Sequence, residues 1–158
     1  MKLELEQQLV SKYPNLFKQY GGDVRETCMA FGIECGDGWY HLIDDLCGAI
    51  QGEVDWINRL FPNLNFSCSA VQVKEKYGSL RFYYEFFYAT DLPDDKMRIL
   101  NDSMNRISGV TTFAEKISQT TCENCGGKCE REDAPFPRAL CDACDTLRRD
   151  AIDSKDWA

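Results

Sequence analysis

The chain has 158 residues, 44% of them hydrophobic and 12% aromatic, which excludes a disordered polymer and is enough for one domain with a real core. A net charge of −8 and a pI near 4.7 argue against broad, sequence-independent nucleic-acid binding, since that affinity comes largely from Lys and Arg neutralising phosphates. Nine cysteines would suit a secreted disulfide scaffold, but the first eight residues carry charges where a signal peptide needs an apolar core, and no apolar run approaches the roughly 18 residues of a membrane span, so a cytoplasmic protein with reduced or metal-bound cysteines is expected.

In chain order, residues 2–12 read as a short helix carrying Leu5, Leu9 and Val10. Tyr13-Pro14 ends it, because proline disfavours helical backbone in the residue before it. Gly21-Gly22 marks a loop. The longest helix opens at Gly36-Asp37-Gly38, with Asp37 placed to cap it and to complement the positive end of its dipole. Trp39, Leu42, Ile43, Leu46, Ile50, Val54, Ile57 and Leu60 recur at three- and four-residue steps and form its apolar stripe, and Phe61-Pro62-Asn63 terminates it. Gly48 and Gly52 lie near the stripe, either as a close-packing notch or as tolerated small residues. His41, the one histidine, sits on or beside the stripe, where a packed or hydrogen-bonded role outweighs that of a general base. Asp44-Asp45 and Asp94-Asp95 are paired in sequence only, since adjacent residues on a helix point apart.

Residues 66–88 are the strand region. Val71–Tyr77 and Leu80–Phe86 alternate around Gly78-Ser79, which predicts a type II′ hairpin with Tyr77 paired to Leu80. Val71, Val73, Tyr77, Leu80, Phe82, Tyr84 and Phe86 then share the apolar face, with Glu75 discordant, while Lys74, Lys76, Arg81, Tyr83 and Glu85 share the other. Three cations and a tyrosine on one face of an acidic protein suit a phosphate-bearing or otherwise anionic ligand, held by charge-assisted hydrogen bonds and ring stacking. Asp37 and Trp39 fall near the edge of that face in this reading. A solvated sheet face with cross-strand charge pairs is the alternative. After Asp91-Leu-Pro93 a third helix is expected from about Asp94 to Gln119, with Met97, Leu100, Met104, Ile107, Thr111 and Ala114 as its buried seam and Gly109 as a point where it can split.

The chemistry is clearest near the C-terminus. Cys122-Glu-Asn-Cys125 and Cys141-Asp-Ala-Cys144 are two C-x2-C pairs with fifteen residues between them, a spacing that matches a four-cysteine zinc site. Four thiolates close a tetrahedron at about 2.3 Å per bond and leave no position for a substrate water, so the expected zinc is structural. Unrelated cysteines or a redox dithiol are the alternatives, and neither pair opens a helix after a strand as a redox motif would. Cys129 is expected to stay outside the shell. Cys28, Cys35, Cys47 and Cys68 lack paired spacing and read as buried free thiols rather than a second metal site. The segment between the pairs, through Ala134-Pro-Phe-Pro137, is turn-rich, and a closing helix is expected over Thr146–Asp153. The fold class is α+β: an antiparallel hairpin or small sheet against two long helices over residues 1–119, with a zinc module over 120–158 packed onto it.

Cys35-Gly-Asp-Gly-Trp39, Val73-Lys-Glu-Lys-Tyr-Gly-Ser-Leu-Arg-Phe82, Thr121-Cys-Glu-Asn-Cys-Gly126 and Leu140-Cys-Asp-Ala-Cys144, in this order, resemble the motifs of a group of small phage, prophage and bacterial proteins with no established activity. The resemblance spans roughly residues 35–145 and implies zinc ligation and a phage association. Members of that group can carry histidine in place of the last cysteine; this chain has Cys144. Taken together, these readings favour a non-enzymatic accessory protein that sequesters a small anionic ligand, such as a host nucleotide signal. The alternative is a zinc-stabilised adaptor for a host or transcription-linked protein, its surface including Arg138 and Arg148. Oligomerisation is compatible with both.

Overall fold

Helix α2, Tyr40–Leu60, carries its apolar side chains at helical spacing, and Ile43, Leu46, Cys47, Ile50, Val54 and Ile57 are buried along it. Burial of each such aliphatic side chain stabilises the fold by about 1.5–3 kcal/mol. The computed structural model describes residues 1–89, 92–130 and 137–154. The architecture is α+β: four helices, α1 (Leu3–Lys12), α2, α3 (Asp94–Ser118) and α4 (Asp142–Asp153), and a three-stranded sheet of β1 (Ile33–Glu34), β2 (Ser67–Glu75) and β3 (Leu80–Phe87) in the order β1-β2-β3, with α2 packed on β2 and α3 on β3. β1 runs parallel to β2, with Ile33 opposite Val73 and Glu34 opposite Lys74. The hairpin expected from the sequence thus gains a short third strand. No helix among the described residues is long and apolar enough to cross a membrane.

The hairpin turns one residue earlier than its sequence pattern predicts. Lys76 and Ser79 exchange backbone hydrogen bonds of 2.8 and 3.3 Å, so Tyr77 and Gly78 are the central residues, with φ of 54° and 70°. Two positive φ values make this a type I′ turn, whose twist matches that of the strands, rather than type II′. Glu75 therefore faces Leu80, Lys74 faces Arg81 and Val73 faces Phe82. A bulge between Ala70 and Gln72 absorbs Val71 and places Ala70 and Cys68 on the buried side. Val71 thus leaves the apolar face, and Tyr77 is exposed at the turn.

α3 runs unbroken through Gly109 and buries Leu100, Ser103, Ile107, Thr111, Ala114 and Ser118; Met97 and Met104 are half-buried beside this seam. Each buried hydroxyl of this α3 seam has a partner: Ser103 donates to Glu53 at 2.6 Å, Thr111 to the Ile107 carbonyl at 2.8 Å and Ser118 to the Glu115 carbonyl at 2.6 Å. α3 also covers the β3 edge. The Ser118 hydroxyl accepts from Leu80 N–H at 2.8 Å and the Glu115 carboxylate from Phe82 N–H at 3.1 Å, which satisfies donors that an open edge would offer to another chain. On α2, Gly48 sits where a Cβ would lie 3.3 Å from the Tyr13 hydroxyl, whereas Gly52 faces open space. His41 is exposed rather than packed, with its ring edge-on to Tyr40 at 5.2 Å. Leu60, placed on the stripe by its spacing, is also exposed. α4 begins four residues earlier than expected, so the second cysteine pair sits at its N-terminus. Asp91 and residues 131–136, where turn-rich connections are expected, lie outside the described residues.

Candidate metal centre and the adjoining cationic concavity

A tight backbone knuckle presents the first cysteine pair. Cys122 N–H donates to the Gly127 carbonyl at 2.7 Å, Gly126 N–H returns to the Cys122 carbonyl at 2.8 Å, and Cys129 N–H binds the Thr120 carbonyl at 3.0 Å. Cys141 occupies the position just before α4, without a side-chain capping hydrogen bond, and Cys144 lies on its first turn. The ligand atoms of Cys122, Cys125, Cys141 and Cys144 all fall within 4.8 Å of one another. The Cys125–Cys141 sulfur separation is 3.8 Å, and the edge of a tetrahedron with 2.3 Å metal–sulfur bonds is about 3.8 Å. The four sulfurs therefore fit one tetrahedral metal ion.

The four thiols influence one another in opposite directions. Burial alone would raise the Cys122 thiol, but hydrogen bonds from the backbone of Cys141, Cys125 and Asn124 outweigh it and bring the pKa down to about 7. At Cys144 the Asn124 side-chain amide, 3.3 Å from the sulfur, favours the thiolate. The neighbouring sulfurs win there, with Cys141 the largest opposing influence, and push it up to about 12. Four thiolates this close ionise together only around a cation. Cys129 is buried beside them but outside the four-sulfur group; burial first, then Cys122, Cys141 and Cys125, push its thiol up to about 11. Of the remaining cysteines, Cys35, Cys47 and Cys68 are buried free thiols, whereas Cys28 is exposed.

The knuckle is clamped to the start of α2. Gly38 N–H donates to the Glu123 carbonyl at 2.7 Å, Gly36 N–H to the Glu123 carboxylate at 2.8 Å, and the Trp39 indole N–H to the Thr121 carbonyl at 2.7 Å. A Cβ at Gly36 would overlap the Glu123 carbonyl, and one at Gly38 would overlap the Cys122 carbonyl and the Gly126 nitrogen. These glycines are required by close approach rather than by backbone angle. On its other side the knuckle holds the chain leading to Cys141, through Glu123 N–H to the Ala139 carbonyl at 2.7 Å. The hairpin turn closes the joint: a Cβ on Gly78 would stand 3.1 Å from Arg138 C and from Pro137 O.

This arrangement divides the residues expected to bind an anion. Trp39 is fully buried beneath the knuckle and is not at a binding edge. Asp37 does not cap α2; its carboxylate accepts from Lys2 N–H at 2.7 Å and pairs with the Lys2 ammonium at 3.1 Å, at the N-terminus of α1. There it complements the dipole of a different helix. Arg81 is half-buried and committed, with its guanidinium 3.5 Å from Glu115 and 2.9 Å from the Ser79 hydroxyl. Tyr83 lies in a separate concavity with Gln19, Thr27, Cys28 and Gln72. Lys74 and Lys76 remain together and, with Glu75, Tyr77, Pro137 and Arg138, line a concavity of ≈ 410 Å³.

Arg138 also lines a second concavity of ≈ 350 Å³, with Gly36, Glu123, Asn124, Leu140, Cys144, Leu147 and Arg148. Its place beside Lys74 and Lys76 was hidden in the sequence, where it reads as surface of the metal module. The sole hint was the recurrence of Gly-containing motifs, since Gly36, Gly38, Gly78 and Gly126 all meet at this joint. In comparisons with known proteins, no family model, no curated protein and no solved structure matched the chain.

Proposed function

We propose that the chain is a zinc-stabilised, non-enzymatic binding protein that captures a small anionic ligand, in keeping with a phage-type accessory role in which a host nucleotide signal is sequestered. The observation that carries this reading is the joining of Lys74, Lys76 and Arg138 around one concavity with the exposed Tyr77 ring at its rim. Among the described residues none of these three cations is held in an ion pair, in contrast to Arg25, Arg81, Arg106 and Arg148. Three cations outnumber the one carboxylate, Glu75, that lines the concavity with them, which favours an external anion, and ring stacking on Tyr77 suits a nucleobase. Zinc is the ion this closed set of four thiolates suits best, as a folding element with no open coordination position.

Titration calorimetry against inorganic pyrophosphate and a panel of linear and cyclic nucleotides tests the reading. Binding by the parent protein, lost in Lys76→Glu and Arg138→Glu with the fold intact by circular dichroism, is the expected result. The absence of binding to every anion in the panel would overturn it. A second reading, a protein adaptor, is favoured by Leu147, 66% exposed beside Arg138 and Arg148 on the metal module. It requires a host protein that is retained by the Lys76→Glu variant and released by Leu147→Asp.

A further inference from the structure

The cationic concavity has one wall from the sheet and one from the metal module. Lys74, Lys76 and Tyr77 belong to β2 and the hairpin turn, whereas Pro137 and Arg138 lie on the strand of chain that delivers Cys141 to the metal centre three residues later. That strand is held from two sides. Glu123, between the first two cysteines, binds the Ala139 carbonyl, and Ala139 is fully buried. The backbone of Pro137 and Arg138 lies against Gly78, with no room for an added methyl group that does not displace it. The knuckle is fastened in turn to Gly36, Gly38 and Trp39.

From this joint we infer that metal occupancy at the four cysteines controls the anion concavity: the ion is the latch that keeps Arg138 opposite Lys74 and Lys76, so that metal and anion binding are thermodynamically coupled. The inference rests on the anion-binding reading above and adds its regulation. With the ion in place, Cys141 and Cys144 fix the C-terminal end of the 137–140 strand to the same knuckle that fixes its middle. Without it, the second cysteine pair loses its bonds to the knuckle, and a backbone segment with few remaining tethers opens locally at low cost. The direction is not trivial. A divalent ion with four thiolates has a formal charge of about −2, which by itself would make the metal-bound form the poorer anion binder. The geometric effect and the electrostatic effect have opposite signs, so the sign of the coupling reports which one governs.

The experiment uses the full chain, zinc-loaded and after removal of the metal by a chelator, with inorganic pyrophosphate as the probe. The expected result is an affinity roughly tenfold or more weaker in the metal-free protein, within the range typical of coupled sites. By reciprocity, saturating pyrophosphate should slow zinc transfer to a chromophoric chelator. Amide hydrogen exchange supplies a readout independent of the ligand. Metal removal should deprotect residues 36–39, 76–79 and 122–126 while the centres of α2 and α3 stay protected.

Equal or tighter pyrophosphate binding without metal would overturn the latch and leave the anion site standing. No binding to the zinc-loaded protein would instead overturn the anion reading, and the coupling with it. Loss of protection throughout α2 and α3 would also overturn the latch, because the ion would then hold up the whole fold. Unchanged protection at 76–79 would do the same, because the turn would be independent of the ion.

Discussion

Gly38 and Cys122 are pressed together backbone to backbone, with the Gly38 Cα side facing the Cys122 carbonyl so closely that no β-carbon fits between them. The contact joins the entry of α2 to the metal knuckle across more than half of the chain. Gly38→Ala should therefore destabilise the protein by about 1–3 kcal/mol or more, as overpacking of a rigid contact does. Gly52→Ala, inside α2 and facing open space, should stabilise by about 0.5–1 kcal/mol through helix propensity. Urea denaturation of the two variants beside the parent checks both signs. Equal stabilities for parent and Gly38→Ala would mean that the knuckle does not sit there.

The ligand set is tested by subtraction. Cys141→Ser should lose its metal and loosen residues 120–150, because a site built of four thiolates supplies folding energy locally. Cys129→Ser should retain one equivalent, since Cys129 stands outside the four-sulfur group. Metal analysis of the purified variants decides between these, and zinc at full stoichiometry in Cys141→Ser would show that the assignment is wrong.

The turn makes its own prediction. Tyr77 holds a left-handed φ of 54°, a conformation that is costly for an aromatic residue and routine for asparagine. Tyr77→Asn creates the Asn-Gly pair preferred at the centre of a type I′ turn and should stabilise by about 0.5–1 kcal/mol, a rise in Tm of about 2 °C for a chain of this size. Gly78→Val should do the opposite, combining strain at φ 70° with the contact to Arg138. A turn centred on Gly78-Ser79 would give no gain from the asparagine, and thermal melts distinguish the two.

Arg81 behaves as structure rather than as ligand-binding surface. Arg81→Glu places a like charge beside Glu115, which is 3.5 Å from the guanidinium and accepts from Phe82 N–H. The expected cost is about 1 kcal/mol, modest because both side chains are partly solvated. Lys76→Glu, on an exposed cation without an ion-pair partner among the described residues, should leave the denaturation midpoint within about 0.5 kcal/mol of the parent. Equal destabilisation by the two changes would contradict this division.

A pH dependence follows from Glu53. Hydrogen bonds from Arg106 hold its carboxyl below the usual value of 4.5; partial burial opposes them and the Ser103 hydroxyl reinforces them. Because the folded value is the lower one, the folded state binds fewer protons near pH 4.5 than the unfolded state. The stabilisation is complete above about pH 5 and is lost as pH falls through the folded value. Glu53→Gln should thus be less stable than the parent by about 1 kcal/mol at pH 7, and the gap should narrow toward pH 3.5. A gap that is constant with pH would show that the Glu53 charge is not what holds α2 to α3.

What the sequence determined by itself is what short-range chemistry encodes. The spacing of two C-x2-C pairs brings the sulfurs together almost regardless of the surrounding fold, and the 3.6-residue period of α2 and α3 marks their buried faces. Between the turn and the bulge the hairpin faces were legible for a subtler reason: moving the turn from Gly78-Ser79 to Tyr77-Gly78 shifts each cross-strand pair there by two residues, so Lys74 and Arg81 stay on one face and Val73 and Phe82 on the other although their partners change. Turn type was not legible, because glycine serves either turn and nothing local marks Tyr77 for the left-handed φ of 54° that it adopts. Only the tertiary structure decided the roles of Asp37, Trp39, Arg81 and Arg138. Each is fixed by a partner far away in sequence: Lys2 for Asp37, Thr121 for Trp39, Glu115 for Arg81 and the hairpin turn for Arg138. Local pattern carries no record of contacts at such separations, since they are set by how the packed elements close on one another rather than by any residue's own preference.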